Sequence, residues 1–494
     1  MVSVLVRKGV GTLISEAGAE GRGLRRVLGP GHLVLLGIGA TVGAGIFATI
    51  GTAAAGDAHR PGAGPALILS FVLTALVCGL TALCYAELSS LVPVAGSAYT
   101  YAYATLGEVV AWIIGWDLVL EYAIGNVAVA ISWANYMNTL LAGLGVSLPA
   151  WMKIDYQSAI HKMPEVVAGA PHILGVPIVF NLLALGIVAL LTVLLVVGVR
   201  ASARVNAVMV VLKLLVLALF VGVGLSFVRP ENWHPFAPNG FTGIAAGAAI
   251  VFFAYIGFDA VSTCAEETRN PGRDLPIGIL GSLVACTVLY VVVAAVFTGM
   301  VPFGALKDLT SSEQAEPLTA ALRHVGRSDM IVGIVALGSV VAHTAVLLVF
   351  QLGQPRIFMA MSRDGLLPPF LARVHPRFRT PHVATILTGV AVGCAAAVTS
   401  LEEMVDLTNV GTLFAFAVVC LGVTVLRFSE PGRARPFRVP FGPIAIPGLG
   451  AVSCLALVAY LPPTSWLRFV GWMIAGLTLY SLYGYRHSKT RRTA

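Results

Sequence analysis

Apolar residues come in blocks of twenty or more, such as 65–86, 177–198, 275–300 and 407–426, and charged residues collect in the gaps between them. A helix of that length crosses a hydrocarbon core about 30 Å thick. Twelve spans are predicted, at approximately 31–56, 65–92, 107–141, 177–198, 202–228, 243–266, 275–301, 329–360, 381–400, 405–428, 445–462 and 466–485. Span three is long enough to require tilt. The longest gap, 142–176, carries Pro149, Pro164 and Pro171 and has no clear periodicity.

Two spans contain breaks in the helical pattern. Span one holds "GIGATVGAGIF" (37–47), four glycines in eleven residues. Each interior glycine costs a helix roughly 1 kcal/mol relative to alanine. Span six reads "GAAIVFFAYIGFDAVSTCAEE" (247–267) and joins Gly257 to Asp259 at membrane depth. These spans are five helices apart. Matched interruptions in two five-helix halves suggest an inverted repeat, because an odd number of spans per unit forces opposite topologies. In hydrocarbon, unwound backbone is tolerated only where it lines a cavity or meets a ligand. The amides freed at a break suit a carboxylate and the freed carbonyls suit an ammonium group. Two adjacent breaks would therefore hold a zwitterion such as an α-amino acid. The alternative for span one alone is close helix packing, since Gly39 and Gly43 form a GxxxG pair. The stretch is not a dinucleotide fingerprint: Val42 stands where the third glycine would be, and no strand precedes it.

Composition supports a membrane assignment. The chain is 57% hydrophobic and only 11% charged, against about 25% charged in soluble domains, and its mean hydropathy is +0.89. Of the 31 Lys and Arg, 22 fall on the side of the membrane that holds both predicted termini and 8 on the other, with Lys213 left over. The positive-inside rule thus places both termini in the cytoplasm. The net charge of +8 needs no nucleic-acid partner. Arg22, Arg25 and Arg26 precede an apolar run too long for a signal peptide, and no small-residue cleavage site closes it. The seven cysteines, Cys78, Cys84, Cys264, Cys286, Cys394, Cys420 and Cys454, form no CxxC pair, and no His/Cys cluster has metal spacing. Neither a structural disulfide nor a metal site is expected.

Several ionisable residues sit at membrane depth. Lys213 lies about ten residues into span five, roughly 15 Å from its end. A charged ammonium is costly there, which makes Lys213 a candidate proton carrier; a snorkelling lysine on a shifted helix is the alternative. Asp117 and Glu121 share one face of span three, and Gly125 continues it. Glu121 could pair with Lys213, face a basic substrate side chain or make a purely structural hydrogen bond. Asp259 could brace the break in span six or belong to a gate. His343, with Thr344, could approach Lys213 or the pocket, or be a satisfied core histidine.

"GATVGAGIF", "FFAYIGFDAVSTCAEETRNPGRDLPIGI" (252–279) and "AMSRDGLLP" (360–368) resemble the amino acid–polyamine–organocation transporters, and more narrowly the cationic amino acid transporter branch and its bacterial homologues. The resemblance runs over roughly 28–486. It implies a LeuT-like fold: two five-helix inverted repeats (31–228 and 243–428) with broken helices 1 and 6, and two further helices (445–486). Cytoplasmic tails at 1–30 and 487–494 complete the expected organisation. The resemblance implies that Gly43, Ala44 and Gly45 bind the substrate carboxylate through backbone amides. It assigns the ammonium group to the carbonyls of Thr41, Phe253, Ala254 and Ile256. Glu121 would lie near the side-chain end of the pocket, and Lys213 would couple transport to protons in place of sodium. His343 and Thr344 depart from the small or hydroxyl residues usual in span eight.

The expectation is a secondary amino acid transporter of the cytoplasmic membrane working by alternating access. A proton gradient would drive it, without a cofactor or catalytic residue. Its partners would be the substrate and membrane lipid; the sequence leaves an accessory subunit open. A rival is an exchanger or facilitator without proton coupling. A more remote one is a non-transporting amino acid sensor, for which the short tails leave no signalling domain. No nucleophile–base or metal constellation stands at a helix break, which argues against an enzyme.

Overall fold

The computed structural model describes residues 7, 8, 11, 26–94, 98–198 and 203–493. Most of the expected tail at 1–30 therefore lies outside the described residues. The described chain is helical apart from one antiparallel pair of two-residue strands, His172–Ile173 and Val176–Pro177.

The main helices run as follows. α1 (Pro30–Thr41) and α2 (Ile50–Ala55) form one interrupted span, and α3 (Leu67–Leu91) returns. A short helix, α4 (Ala98–Thr105), leads into the long α5 (Glu108–Gly143). Then come α6 (Leu182–Val197), α7 (Ala203–Leu225), α8 (Gly240–Val251) and α9 (Pro271–Met300). α10 (Pro317–His324) caps one end, followed by α11 (Asp329–Arg363), α12 (His382–Val398), α13 (Leu401–Ser429), α14 (Ala445–Val458) and α15 (Pro463–Leu479).

Among the described residues, eight spans are long and apolar enough to cross a membrane, or nine if one bent pair counts as a single span. The twelve-span expectation is not reached on those terms, for two reasons. α6 and α12 have 16 and 17 residues, a rise of about 24–26 Å. α14 and α15 pass the test only together, and they meet at a bend of 117°.

Both interruptions foreseen at the glycine-rich stretches are present. α1 stops where Val42 turns extended (φ −73°, ψ 105°), and the chain resumes in a wide turn over Gly45–Thr49. α8 tightens over Phe252–Tyr255, Ile256 becomes extended (φ −60°, ψ 129°), and a tightly wound stretch over Phe258–Glu267 follows. Gly257 sits between them at φ +121°, a conformation that side chains disfavour.

The two breaks interlock. A Cβ on Gly257 would come within 2.7 Å of the Ala40 carbonyl oxygen, and one on Gly45 would fall on the Ala254 backbone. Both glycines let one unwound backbone approach the other. The packing alternative for span one also has substance: Gly39 faces Val210 of α7, and Gly43 faces Val346 of α11.

Ion pairs close both ends of the bundle. At one end, Arg60 bonds Asp57 (2.6 Å) and Asp406 of α13 (2.7 Å). At the other, buried Glu87 of α3 holds Arg427 of α13, and Arg435 lies 3.3 Å away.

Candidate functional site

Between the breaks lies a cavity of only about 10 Å³, little more than one water needs. Backbone from Ala40, Thr41, Gly43, Ala44 and Gly45 borders it, and Val129 of α5, Phe253, Ile256, and Val346 and Phe350 of α11 close it. Six of the expected binding residues thus meet at one place: Thr41, Gly43, Ala44, Gly45, Phe253 and Ile256. Ala254 lies behind Gly45. The N–H groups of Gly43 and Ala44 have no backbone acceptor among the described residues.

The carbonyls of Gly39, Val42, Thr41 and Ala254, by contrast, are already engaged. Lys213 is fully buried. Its Nζ donates to Gly39 O and, at 2.6 Å, to Val42 O. It therefore bridges α7 to the end of α1 rather than pairing with Glu121. Tyr290 of α9 reaches both breaks: its hydroxyl lies 3.1 Å from Thr41 O and 2.9 Å from Ala254 O. The sequence reading missed Tyr290, although a tyrosine in the run "TVLYVVVAAVF" needs a partner for its hydroxyl.

Glu121 is buried but does not border the cavity. One turn closer, Gly125 lies against the ring of Phe350, which closes the cavity on that side. Glu121 instead lies near Asp117 and Asp259, close enough for their charges to interact. Both Asp117 oxygens are buried without a hydrogen-bond partner among the described residues. His343 is fully buried. Its Nδ1 donates to Ser339 O, and its Nε2 lies 2.7 Å from Ser132 Oγ. Thr344 accepts from Trp133 Nε1 at 2.9 Å. This pair ties α11 to α5, and the His343 ring also touches Phe47, just beyond the first break.

A larger cavity of about 290 Å³ opens towards the Arg60 end. Ala48, Ile131 and Ile250 line its inner part, and each is two to four residues from one that borders the small cavity. Its walls include Thr49, Thr52, Asn135, Asn138 and Glu316. The roof comes from the 142–176 segment, where no element was foreseen. There the seven-residue helix Tyr156–Lys162 is capped by Asp155, which accepts from Ser158 N. Ala159, Ala170 and Val179 form a small core beneath it with Trp151 and Tyr156. A helix of two turns is too short to show periodicity in the sequence. Glu316 accepts from Thr139 Oγ1 of α5 at 2.5 Å, and burial pushes its carboxyl up to about 7. Burial likewise raises Asp155 to about 6.

The profile of the amino acid permease family matches residues 28–478. The chain belongs to that family. A branched-chain amino acid permease of Bacillus subtilis (strain 168) is 44% identical over 487 residues, covering 99% of each chain. A methylthioribose transporter of the same strain is also 44% identical, over 488 residues and 99% of each chain. The vacuolar cationic amino acid transporter 4 of Arabidopsis thaliana is 38% identical over 385 residues, 76% of this chain and 60% of that one. Membership makes this permease a multi-pass membrane transporter rather than an enzyme, in a family that takes amino acids.

Two outcomes test the site. Gly45→Ala places a methyl on the Ala254 backbone, so the breaks must part; substrate affinity is expected to fall at least about tenfold in a binding titration, and wild-type affinity would contradict the arrangement. Glu316 binds its proton more tightly in the folded protein than in the unfolded chain, so its contribution to stability falls as pH rises from about 4.5 to about 7. Glu316→Gln removes that loss. The variant's thermal midpoint relative to wild type should therefore be higher at pH 8 than at pH 5, and an equal difference at both would contradict the burial.

Proposed function

We propose that this permease is a proton-coupled secondary transporter of neutral α-amino acids in the cytoplasmic membrane. The observation that carries the reading is the pair of interlocked breaks. The amides of Gly43 and Ala44 are positioned for a carboxylate. The carbonyls near Thr41 and Ala254, now held by Tyr290, can take an ammonium group. Zwitterion binding this way buries no protein charge. The side-chain end of the cavity is apolar, formed by Val129, Ile256, Val346 and Phe350. This favours an aliphatic side chain over a cationic one, in line with the branched-chain name of one relative. A methylthioribose molecule carries neither end of a zwitterion, so it would leave the freed backbone groups unmatched.

In this reading the chain crosses the membrane twelve times. The short α6 and α12 each cross by local thinning or flanking anchors, and α14 and α15 form a hairpin. The partition is two five-helix inverted repeats (31–228 and 243–428), a terminal pair (445–486) and cytoplasmic tails, with both termini inside. The 290 Å³ cavity is then the external approach, and the access path alternates around a fixed site. Lys213 couples the proton: its bonds to Gly39 O and Val42 O hold α1 when charged and weaken when the proton leaves. Asp259, His343 and Thr344 support the breaks from either side, and Glu121 acts from behind Phe350.

A second reading, exchange without proton coupling, draws on the same lysine. A permanently charged Lys213 satisfying two carbonyls would be a fixed strut. Uptake of labelled leucine into proteoliposomes separates the two readings. Under an inward proton gradient the wild type should accumulate leucine, with collapse on adding a protonophore, and Lys213→Ala should lose accumulation while keeping some exchange. Full proton-driven accumulation in Lys213→Ala would contradict the coupling role.

A further inference from the structure

The Glu108 end of the bundle is shut by a plug of aromatic rings. Tyr85 of α3 stands 6.1 Å from Tyr101 of α4, 6.2 Å from Phe258 and 5.6 Å from Phe416 of α13, centroid to centroid. Phe258 immediately follows Gly257 in the second break, so this plug lies between the small cavity and the Glu108 end. Tyr101 is the contribution of α4 to this plug, through its contact with Tyr85.

α4 carries Tyr101 on one face and a set of anchors on another. Tyr99 and Tyr103 are one turn apart. Tyr99 donates to Asp364 Oδ2 at 2.6 Å, and Tyr103 donates to Glu108 Oε2 at 3.0 Å. Glu108, the first residue of α5, is wholly buried. Its carboxylate collects further donors from the C-terminal segment. Arg491 Nε donates to Oε1 at 2.8 Å, Tyr480 OH donates to the same oxygen at 2.8 Å, and Ser488 Oγ donates to Oε2. The Arg491 guanidinium also lies 4.1 Å from the Tyr485 ring centroid. Thr490 Oγ1 is 2.8 Å from Tyr103 OH. Lys489 N donates to Asp364 O at 3.1 Å, beside Gly365, which has no room for a Cβ against His487 O.

The Glu108 carboxylate thus holds both α4 and the segment 488–491, and Asp364 adds a second tie: its carboxylate bonds Tyr99 and Lys8, and its main-chain oxygen accepts from Lys489 N. Residues 488–491, within the expected tail at 487–494, fill the space between α4, the start of α5 and the turn after α11. A charge-assisted pair with several hydroxyl donors in a dry site is costly to break from one side.

We infer that residues 488–491 are a latch on the gate at this end: Arg491, through Glu108, holds α4 seated so that Tyr101 stays in the aromatic plug. The path at the Glu108 end opens only when the latch lets go. The inference rests on the alternating-access reading above. Its test needs no substrate, so failure of that reading and failure of the latch are seen separately.

The test is backbone hydrogen exchange on the full-length protein in lipid nanodiscs, comparing wild type, Arg491→Ala and Arg491→Lys. In Arg491→Ala, amides of Ala98–Thr105 and Phe258–Glu267 should exchange about tenfold faster, while those of α2 and α8 at the Arg60 end stay at wild-type rates. Arg491→Lys keeps the charge and should fall between the two. Unchanged exchange at α4 would overturn the latch, and so would an acceleration spread evenly over all helices, which would mark a general loss of stability. If Arg491→Ala gives no folded protein, Ser488→Ala removes a single donor to Glu108 and is read the same way, with a smaller acceleration expected.

Discussion

A peptide group without a hydrogen-bond partner is expensive in a membrane interior. This chain creates several such groups by breaking two helices at the same depth. Their disposition is unequal. Carbonyls released by the first break are taken by Lys213, and Tyr290 reaches a carbonyl at each break. The amides of Gly43 and Ala44 keep no backbone acceptor among the described residues. What remains beside the cavity is a pair of donors at the start of a helical segment, a setting that favours an anion. The glycines make this possible sterically, since Gly45 and Gly257 each rest against the backbone of the opposite break.

Everything around the breaks keeps them in register. Tyr136 of α5 donates to Phe47 O just beyond the first break. Asn409 of α13 donates to Ala249 O on α8 at 2.8 Å. Buried ion pairs then tie α13 to the Asp57–Arg60 loop at one end and to α3 at the other. The two ends differ in how much they enclose: the Arg60 end leads to a 290 Å³ cavity, whereas the Glu108 end is filled by aromatic rings and the folded-back segment 488–491. In the proposed transport cycle this is a form closed on the Glu108 side, with its central cavity collapsed.

The breaks were legible because they violate a strong local rule. Glycines in an apolar helix and an acid beside a glycine at membrane depth have few innocent explanations, and both segments unwind where the sequence suggested. Lys213 was legible as an anomaly, although its carbonyl partners were not, because they depend on how α7 crosses α1. Glu121 illustrates the limit of periodicity. It lies on the expected face of α5, yet the Phe350 ring from α11 stands between that face and the cavity, and no pattern within one helix reveals a side chain donated by another. Tyr290 and the short helix Tyr156–Lys162 were missed for related reasons: one acts across two distant segments, and the other is too short to leave a period. Hydropathy marks α6, α12 and the α14–α15 pair as apolar without giving their lengths, and each of these helices falls short of a full span on length.

The central claim is that the two breaks recognise both charged ends of one small molecule. Calorimetric titration of the purified protein with leucine, with its amine analogue lacking the carboxylate (3-methylbutylamine) and with methylthioribose tests it most directly. The account predicts measurable binding of leucine and at least about hundredfold weaker binding of the other two, since each leaves freed backbone groups unpaired at roughly 1–3 kcal/mol apiece. Binding of the amine or of methylthioribose as tight as that of leucine would contradict it.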